Sequence, residues 1–142
     1  MQGESAAPEQ VRPLMQQAPL DSAARAALDH ELDVGHCHQL PQEMFAGMRG
    51  AQVARDAQMA RALGTVSASG PAILIAGNGH VRSDFAVPRL LRVTAPGKSV
   101  LSVGFLEREE NGAEPPAADR AVYDIVVITP RATRPDPCAG LR

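Results

Sequence analysis

A short apolar run at residues 72–76 constrains the fold of this chain more than any other feature. It reads Ala-Ile-Leu-Ile-Ala without a polar residue, and it is bounded by Gly70-Pro71 on one side and Gly77 on the other. A strand that is exposed on one face alternates between apolar and polar residues, whereas a strand covered on both faces does not. The run therefore predicts a buried strand of the kind found in parallel α/β sheets.

Two further strands are predicted at residues 99–106 and 123–129. Predicted helices lie between and before the three strands, an order that favours a parallel sheet with helices on its faces. The fold class expected is therefore α/β, as a partial three-layer α/β/α sandwich with a mostly parallel sheet. Because sheets of this kind usually have about five or six strands, the chain is expected to be part of a larger domain.

The helices are expected over residues 21–35, 42–63 and 87–91. The first is capped by Asp21-Ser22 and ended by Gly35, since a short polar side chain satisfies the first N–H groups and glycine tolerates the backbone at a helix end. In the third helix Pro88 fits the first turn, and Ser83 or Asp84 is the expected cap. The middle helix has the strongest periodicity.

The composition argues against several functions. With 3% aromatic residues and a net charge of -2, the chain has neither a base-stacking surface nor a basic field, so no nucleic-acid partner is expected. No apolar run approaches the roughly 20 residues of a transmembrane helix, and no secretory signal peptide is visible at the N-terminus. Cys37 and Cys138 do not form a Cys-x-x-Cys pair, and either a long-range disulfide or two free buried thiols would account for them.

The most promising functional segment follows the apolar run and reads Gly77-Asn78-Gly79-His80-Val81-Arg82. In open α/β sheets, ligands bind beyond the carboxyl ends of the strands, and glycines there let backbone N–H groups approach the ligand. His80 offers an imidazole that can titrate or bind a metal, and Arg82 could hold a carboxylate or phosphate through two hydrogen bonds. The alternative is an ordinary tight turn with an exposed histidine.

The middle helix carries an unusual face of methionines and polar residues. Its members recur at a spacing of three to four residues: Met48, Gln52, Arg55, Asp56 and Met59. This face could line a ligand pocket, or it could be a solvated polar stripe. A second stripe of small residues on the same helix would allow another element to approach closely.

Two other segments offer potential metal ligands. His36-Cys37-His38 places three of them in a row, but neighbouring residues in an extended loop point in different directions, so at most two could reach one ion. Tyr123, the only tyrosine, is the only candidate for a phenolate ligand of ferric iron. No Ser-His-Asp order, paired carboxylates or His-Glu-x-x-His motif is present.

Three segments taken together resemble one known family. They are residues 51–60, which include Arg55-Asp56 and Met59, residues 75–88, which run from Ile75-Ala76-Gly77-Asn78-Gly79-His80 to Val87-Pro88, and Tyr123-Asp124 leading to Asp136-Pro137-Cys138. In order and spacing the chain resembles the ChaN-type haem-binding lipoproteins from about His36 to its end. The resemblance divides the chain into an N-terminal tail and helix (residues 1–35) and the C-terminal half of a ChaN-like domain (residues 36–142). Within the first part, residues 1–20 are predicted to form a loose tail or a short helix broken at Pro13 and Pro19.

The resemblance implies a function and a location. Members of this family are periplasm-facing bacterial lipoproteins associated with iron or haem acquisition, and their α/β/α sandwich is distantly similar to erythromycin esterases and Tiki-type metalloproteases. The family domain is about twice as long as this chain, and its first half, with the lipoprotein signal and a Gly-Glu-x-His-like motif, has no counterpart here. Ala86 also replaces the glycine that usually precedes Val-Pro. A location in the periplasm or at the outer membrane is expected on this basis.

The resemblance also implies roles for residues. The chain is expected to bind haem, or alternatively iron or another transition metal, in bacterial iron uptake without catalysis. The methionine face suits a flat apolar macrocycle, and Arg55, Arg82 or Arg89 could pair with its propionates. The axial ligand is either His80 or Tyr123, and His80 is better placed.

Two alternative functions remain at this stage. The first is a metal-dependent hydrolase like the distant relatives, with His80 as metal ligand or general base. The second is an inactive truncated domain that forms a homo-oligomer over its unpaired sheet edge.

Overall fold

The computed structural model describes residues 7–140, which form a cluster of helices joined to a small parallel sheet. The helices are α1 (Arg12–Gln17), α2 (Ser22–Gly35), α3 (Phe45–Val66), α4 (Asn78–Val81), α5 (Val87–Thr94) and α6 (Ala117–Arg120), and the strands are β1 (Val103–Glu107) and β2 (Ile125–Thr129). Short 3-10 turns at Glu9–Val11 and Gln42–Met44 lead into α1 and α3. No helix within residues 7–140 combines the length and apolar character needed to cross a membrane.

Helix α2 confirms the prediction made from its end residues. The Asp21 side chain accepts a hydrogen bond from the backbone N–H of Ala24 at 2.8 Å, which satisfies one of the free donors of the first turn. Gly35 is the last helical residue, and Leu28 and Leu32 face the interior. Local capping and apolar spacing are therefore sufficient to define this helix.

Helix α3 is also confirmed, and it lies between two hydrophobic clusters. One cluster joins α1 and α5, with Val11, Met15 and Leu90 among its buried members. The other joins α2 to the segment before α5, with Leu28 and Phe85 among its members. Small residues of α3 are buried and allow close approach of the neighbouring helices, as the stripe of small residues predicts.

The N-terminal segment confirms the predicted short helix, which ends before Pro19, but the predicted break at Pro13 is wrong. Pro13 lies in the first turn of α1, where backbone N–H groups have no acceptor within the helix. The missing N–H of proline therefore costs no hydrogen bond, and Pro13 begins the helix and does not break it. Val11 and Met15 are buried, which means that this segment is part of the core. Residues 1–6 of the predicted tail lie outside the described residues.

The sheet confirms an α/β fold with parallel strands. β1 and β2 pair in parallel, with Val103 opposite Ile125 and Phe105 opposite Val127. Gly104 on β1 is needed for close packing, because a Cβ atom there would lie 2.7 Å from Cγ of Tyr123. Both strands begin later than predicted, since residues 99–102 and 123–124 are not part of the ladder.

The strand predicted at residues 72–76 is absent. Within residues 7–140 only β1 and β2 form strands, and no backbone hydrogen bond is recorded for residues 72–76. Leu74 packs against the helical core, whereas Ile73 and Ile75 are 88% and 94% exposed. An uninterrupted apolar run predicts cover on two faces, but the described chain covers only one of them.

Helix α5 confirms the position of Pro88 but not the predicted cap. The helix extends to Thr94, and its N-cap residue is Ala86, which makes no side-chain capping bond. The Asp84 carboxylate is instead bound by the Arg82 guanidinium at 2.8 Å. An ion pair with Arg82, two residues earlier in the chain, therefore takes the side chain that the sequence assigns to the cap.

The two cysteines form a disulfide. Cys37, just after α2, is bonded to Cys138, with their Cα atoms 5.7 Å apart and 101 positions apart in sequence. Cys37 has a φ of 58° and His38 a φ of 59°, which is the left-handed region of a tight turn. The disulfide excludes Cys37 as a metal ligand, so any ligand pair within residues 36–38 that includes Cys37 is ruled out.

We expect the Cys37→Ser/Cys138→Ser double variant to be less stable by about 4–5 kcal/mol, because a cross-link that closes a loop of this length removes much conformational entropy from the unfolded chain. The melting temperature should fall by roughly 10–20 °C. Thermal unfolding followed by circular dichroism measures this change. Dithiothreitol should lower the wild-type melting temperature to that of the variant and leave the variant unchanged; equal melting temperatures without reductant would contradict the stabilising role.

Candidate functional site

The predicted glycine-bracketed loop is a single helical turn, α4. The N–H of His80 donates to the carbonyl of Gly77 at 2.9 Å, and Gly77 precedes the turn with an ordinary extended backbone. A Cβ atom at Gly77 or Gly79 would meet nothing within 4 Å. Neither a left-handed backbone nor steric crowding therefore requires glycine at these two positions. The loop conformation predicted for this segment is wrong, because the segment is helical.

Asn78 and neighbouring polar groups fasten α4 to the sheet. The Asn78 side chain donates to the carbonyl of Phe105 at 2.5 Å and accepts from the N–H of Phe105 at 3.2 Å. The buried Ser102 hydroxyl donates to the carbonyl of Val81. Asn78, which the sequence predicts to contact a ligand, thus binds β1 in this structure and fixes the position of His80.

The chemically distinctive feature of the molecule is the contact between His80 and helix α3. His80 Nδ1 lies 2.6 Å from Oδ1 of Asp56 and 3.0 Å from Nε2 of Gln52. Asp56 and Gln52 are one helical turn apart on α3, so both reach the same ring nitrogen. One nitrogen cannot donate and accept at once, and the shorter contact makes Nδ1 the donor to an ionised Asp56.

Asp56 is a buried carboxyl group with incomplete hydrogen bonding. It is 0% exposed, and Oδ2 has no hydrogen-bond partner. Burial raises the pKa of Asp56 from 3.8 to about 6, and the hydrogen bond and charge of His80 and the charge of Arg55 partly oppose that rise. The group is therefore ionised at neutral pH but takes up a proton in mild acid.

The opposite nitrogen of the His80 ring remains available. Among residues 7–140 no hydrogen bond to Nε2 is recorded, and the His80 side chain is 25% exposed. A carboxylate that binds one imidazole nitrogen fixes the tautomer and makes the other nitrogen a better ligand or base. The arrangement can therefore bind a metal centre through Nε2 or move a proton there.

Tyr123, the other proposed metal ligand, lies in different surroundings. Its ring packs on Gly104, and its hydroxyl donates to the carbonyl of Asn78 at 3.4 Å, a weak hydrogen bond. Burial raises the pKa of Tyr123 above its usual value, which favours the neutral phenol over the phenolate. The recorded contacts of Tyr123 are thus with Asn78 and Gly104, and not with His80.

Arg82 is engaged with other side chains. Its guanidinium contacts Glu31 at 2.6 Å and Asp84 at 2.8 Å, and it lies 4.7 Å from the centre of the Phe85 ring. Arg89 donates to the carbonyls of Ala18 and Pro19. Binding of a ligand anion by either arginine would require these contacts to open.

The predicted face of α3 divides into four environments. Gln52 and Asp56 meet His80, as described above. Met48 packs against the cluster around Leu28 and Phe85, whereas Met59 packs against the cluster of α1 and α5. Arg55 is exposed next to Asp56. The two methionines therefore do not line one pocket with the polar residues in this structure.

One other potential site can be compared with the His80 cluster. An open cavity of about 320 Å³ lies at the end of β1, where Asn78, Phe105, Glu107 and Arg134 contribute to its wall. Glu107 and Arg134 form an ion pair of 2.7 Å across it. Among residues 7–140 no group of three or more His, Cys, Asp and Glu side chains is arranged to hold a metal ion.

Comparison with known protein families gave a match. A family model described as "Haem-binding uptake, Tiki superfamily, ChaN" matches residues 1–91. The matched part contains Gln52, Asp56 and His80, and it includes residues 1–35, whereas Tyr123 and Cys138 lie beyond it. No curated protein and no solved structure matches the chain. The division into residues 1–35 and 36–142 stays a prediction.

The raised pKa of Asp56 predicts an unusual pH dependence of stability for the protein without ligand. The folded state holds the Asp56 proton more tightly than the unfolded chain does. The protonated carboxyl group therefore adds to the free energy of unfolding in full below about pH 4, and this contribution is lost as the pH rises through about 6. From pH 4 to 7 the wild type should lose about 2–3 kcal/mol relative to Asp56→Asn. Urea unfolding at several pH values measures the difference.

The control for this experiment is Glu43→Gln, which removes an exposed carboxyl group from the 3-10 turn before α3. The difference in unfolding free energy between wild type and Asp56→Asn should change with pH more steeply than that between wild type and Glu43→Gln. A difference that stays constant, or that changes in favour of the wild type as pH rises, would show that Asp56 is not a carboxyl group with a raised pKa.

Proposed function

Because this chain belongs to the ChaN family of haem-binding uptake proteins in the Tiki superfamily, we propose that it binds haem through Nε2 of His80. In this proposal the protein holds haem for uptake and does not catalyse a reaction. The single observation that carries it is the buried Asp56 carboxylate 2.6 Å from Nδ1 of His80, which leaves Nε2 available. This is the arrangement that orients histidine ligands in metal sites.

The residues around His80 fit such a group in their chemistry. An imidazole held by a carboxylate is a strong ligand for iron, and Asp56 Oδ2, which is buried and lacks a partner, is a negative charge that a positive centre nearby would offset. Bound haem would supply an iron atom able to accept an imidazole nitrogen. The chain supplies the ligand atom and, through Asp56, its fixed tautomer.

Arg55 is the best propionate partner among the three arginines considered. It is exposed and lies beside Asp56 on α3, whereas Arg82 and Arg89 are held by carboxylates and backbone carbonyls. Its guanidinium can therefore bind an anionic group without the loss of contacts such as those that hold Arg82 and Arg89. In this proposal Arg55 contributes affinity and orientation, and it does not ligate the iron.

His80 is preferred to Tyr123 as the axial ligand for two reasons. Tyr123 has a raised pKa, so forming the phenolate that iron binds is less favourable than usual. Its hydroxyl is also directed to the carbonyl of Asn78, while Nε2 of His80 has no recorded partner among residues 7–140. These observations support the assignment of the imidazole as ligand.

Hydrolysis is a second function that the pair of His80 and Asp56 would allow. An Asp that holds one nitrogen of a histidine is also the arrangement of a general base, and this favours a hydrolase as the second candidate. The hydrolase proposal requires a metal or a nucleophile near Nε2, and neither is among the contacts of His80 described above. Hydrolysis of ester or peptide probes that is lost in His80→Ala would favour it over haem binding.

Titration of the purified protein with hemin tests the haem proposal. We expect a shift of the Soret band that saturates at one haem per chain, and a loss of affinity of at least about 10-fold in His80→Ala and of about 10–100-fold in Asp56→Asn, because the latter removes the group that orients the ligand. Tyr123→Phe should bind as the wild type does. The matched control is His30→Ala, which removes an exposed histidine of α2.

Equal affinity in His80→Ala and wild type would overturn the proposal. If Tyr123→Phe abolished the shift while His80→Ala kept it, the ligand would be Tyr123. A loss of the same size in His30→Ala would identify the binding as non-specific attachment to surface histidines.

We also propose that the chain works in an oxidising compartment, the periplasm or the outer-membrane surface that faces it. The disulfide between Cys37 and Cys138 supports this location, because such bonds persist outside the reducing cytosol. Labelling of the denatured protein with a maleimide, directly after it is taken from its native cells, tests the location. Two blocked thiols are expected, and two labelled thiols would contradict the proposal.

A further inference from the structure

The turn after α2 carries two histidines, one on each side of the disulfide-bonded Cys37. His36 is partly buried, and the side chain of His38 is 69% exposed. Neither residue belongs to the proposed haem site at His80. Because the sulfur of Cys37 is bonded to Cys138, the two imidazoles are the ligand groups that remain in this segment.

Both imidazoles are held through the same ring nitrogen. Nδ1 of His36 lies 2.6 Å from the carbonyl oxygen of Leu32, and Nδ1 of His38 lies 2.7 Å from Oδ2 of Asp33. A carbonyl or ionised carboxylate oxygen only accepts hydrogen bonds, so Nδ1 is the donor in both rings and the lone pair of the neutral imidazole is on Nε2. No hydrogen bond to either Nε2 atom is recorded within residues 7–140.

The two rings lie against the same end of α2. Their acceptors belong to consecutive residues, Leu32 and Asp33, in the last turn of the helix. The backbone N–H of His36 donates to the carbonyl of Leu32 at 3.1 Å, and that of His38 donates to the carbonyl of Asp33 at 2.8 Å. One tight turn therefore carries both histidines, and both Nε2 atoms are directed away from the oxygens that hold the rings.

Covalent and hydrogen bonds constrain this turn. Cys37 and His38 have left-handed backbone conformations, with φ of 58° and 59°, and the disulfide fixes Cys37 to the segment after β2. A side chain that is held in place before binding loses less conformational entropy when it binds an ion. The turn thus presents two imidazoles whose orientations are already set.

The charges around the turn favour a cation. Helix α2 ends at Gly35, and the C-terminus of a helix is the negative end of its dipole. Asp33 adds a carboxylate beside the rings. No Lys or Arg lies between Arg25 and Arg49 in the sequence. A positive ion at this turn therefore meets an attractive potential from both the helix and the side chain.

We propose that Nε2 of His36 and Nε2 of His38 together bind one divalent transition-metal ion, such as Ni²⁺, Cu²⁺ or Zn²⁺. Imidazole is a preferred ligand of these ions, and a hydrogen bond from the other ring nitrogen to a carbonyl or carboxylate is the arrangement that orients such ligands. With two protein ligands the rest of the coordination shell is water, and within residues 7–140 no third His, Cys, Asp or Glu side chain completes a group. The proposal uses none of the residues of the haem site.

Isothermal titration of the metal-free protein with Ni²⁺ alone tests the site. The affinity should fall at least about 10-fold in His36→Gln and in His38→Asn, because each loses one ligand atom, and about 10-fold in Asp33→Ala, which loses the group that orients one ring. Asparagine is chosen at position 38 because it tolerates the left-handed backbone there. Circular dichroism and the melting temperature without metal check that the variants are folded.

Two histidine variants serve as matched controls. His30→Ala removes an exposed histidine of α2, and His80→Ala removes the proposed haem ligand. Both should bind Ni²⁺ at the turn as the wild type does, so a failure of the haem proposal leaves this result unchanged. Mg²⁺, which prefers oxygen ligands, should not compete with Ni²⁺.

A measurement on the wild type alone does not depend on any variant folding. In a nuclear magnetic resonance titration, paramagnetic Cu²⁺ should broaden the ring signals of His36 and His38 before those of His30 and His80. Broadening that begins at His30 or His80 would overturn the proposal.

Three results of the calorimetric titration would also overturn it. The first is a wild type that binds no Ni²⁺ at about 1 mM free ion. The second is unchanged affinity in either His36→Gln or His38→Asn, because the ion would then not be shared by the two rings. The third is binding that is lost in His80→Ala or displaced by Mg²⁺, which would place the ion on the haem ligand or on carboxylates.

Discussion

The packing of α3 between two hydrophobic clusters determines where the other elements lie. Ala57 and Ala60 are buried on one side of the helix, and their small side chains let α1 and α5 approach its backbone. Val53 contacts both clusters, so the two parts of the core meet on this helix. Because Ala60 lies one turn after Asp56 on the same side of the helix, the packing that buries this alanine also removes the carboxyl group from water.

Burial of Asp56 is unfavourable by itself, and the contact with His80 offsets part of that cost. The histidine reaches this position because α4 is fastened to β1 by the side chains of Asn78 and Ser102. Helix α3 thus supplies Asp56, and the turn α4, held by the sheet, supplies His80. A carboxylate held in this way gives the imidazole one orientation, which is what a ligand or base requires.

The same architecture leaves the two faces of the sheet unequal. Tyr123, Ser102 and α4 occupy the face that is directed to the helices, whereas the opposite face carries exposed apolar side chains such as those of Phe105 and Val127. The disulfide ties the end of the chain back to the turn after α2, so the segment that follows β2 returns to the helices.

The sequence by itself determined the features that depend on neighbours within one or two helical turns. The Asp21 cap and Gly35 define α2, periodicity defines α3, and the chemistry of His80 and Asp56 made both residues candidates for the site. Only the tertiary structure decided which of them meet: Asp56 with His80, Arg82 with Glu31 and Asp84, and Cys37 with Cys138. The physical reason is that most of these pairs are separated by 24 to 101 positions, so their formation depends on packing of whole elements and not on local preference. The apolar run at residues 72–76 shows the same limit, because composition predicts burial but cannot say whether a second layer is there to provide it.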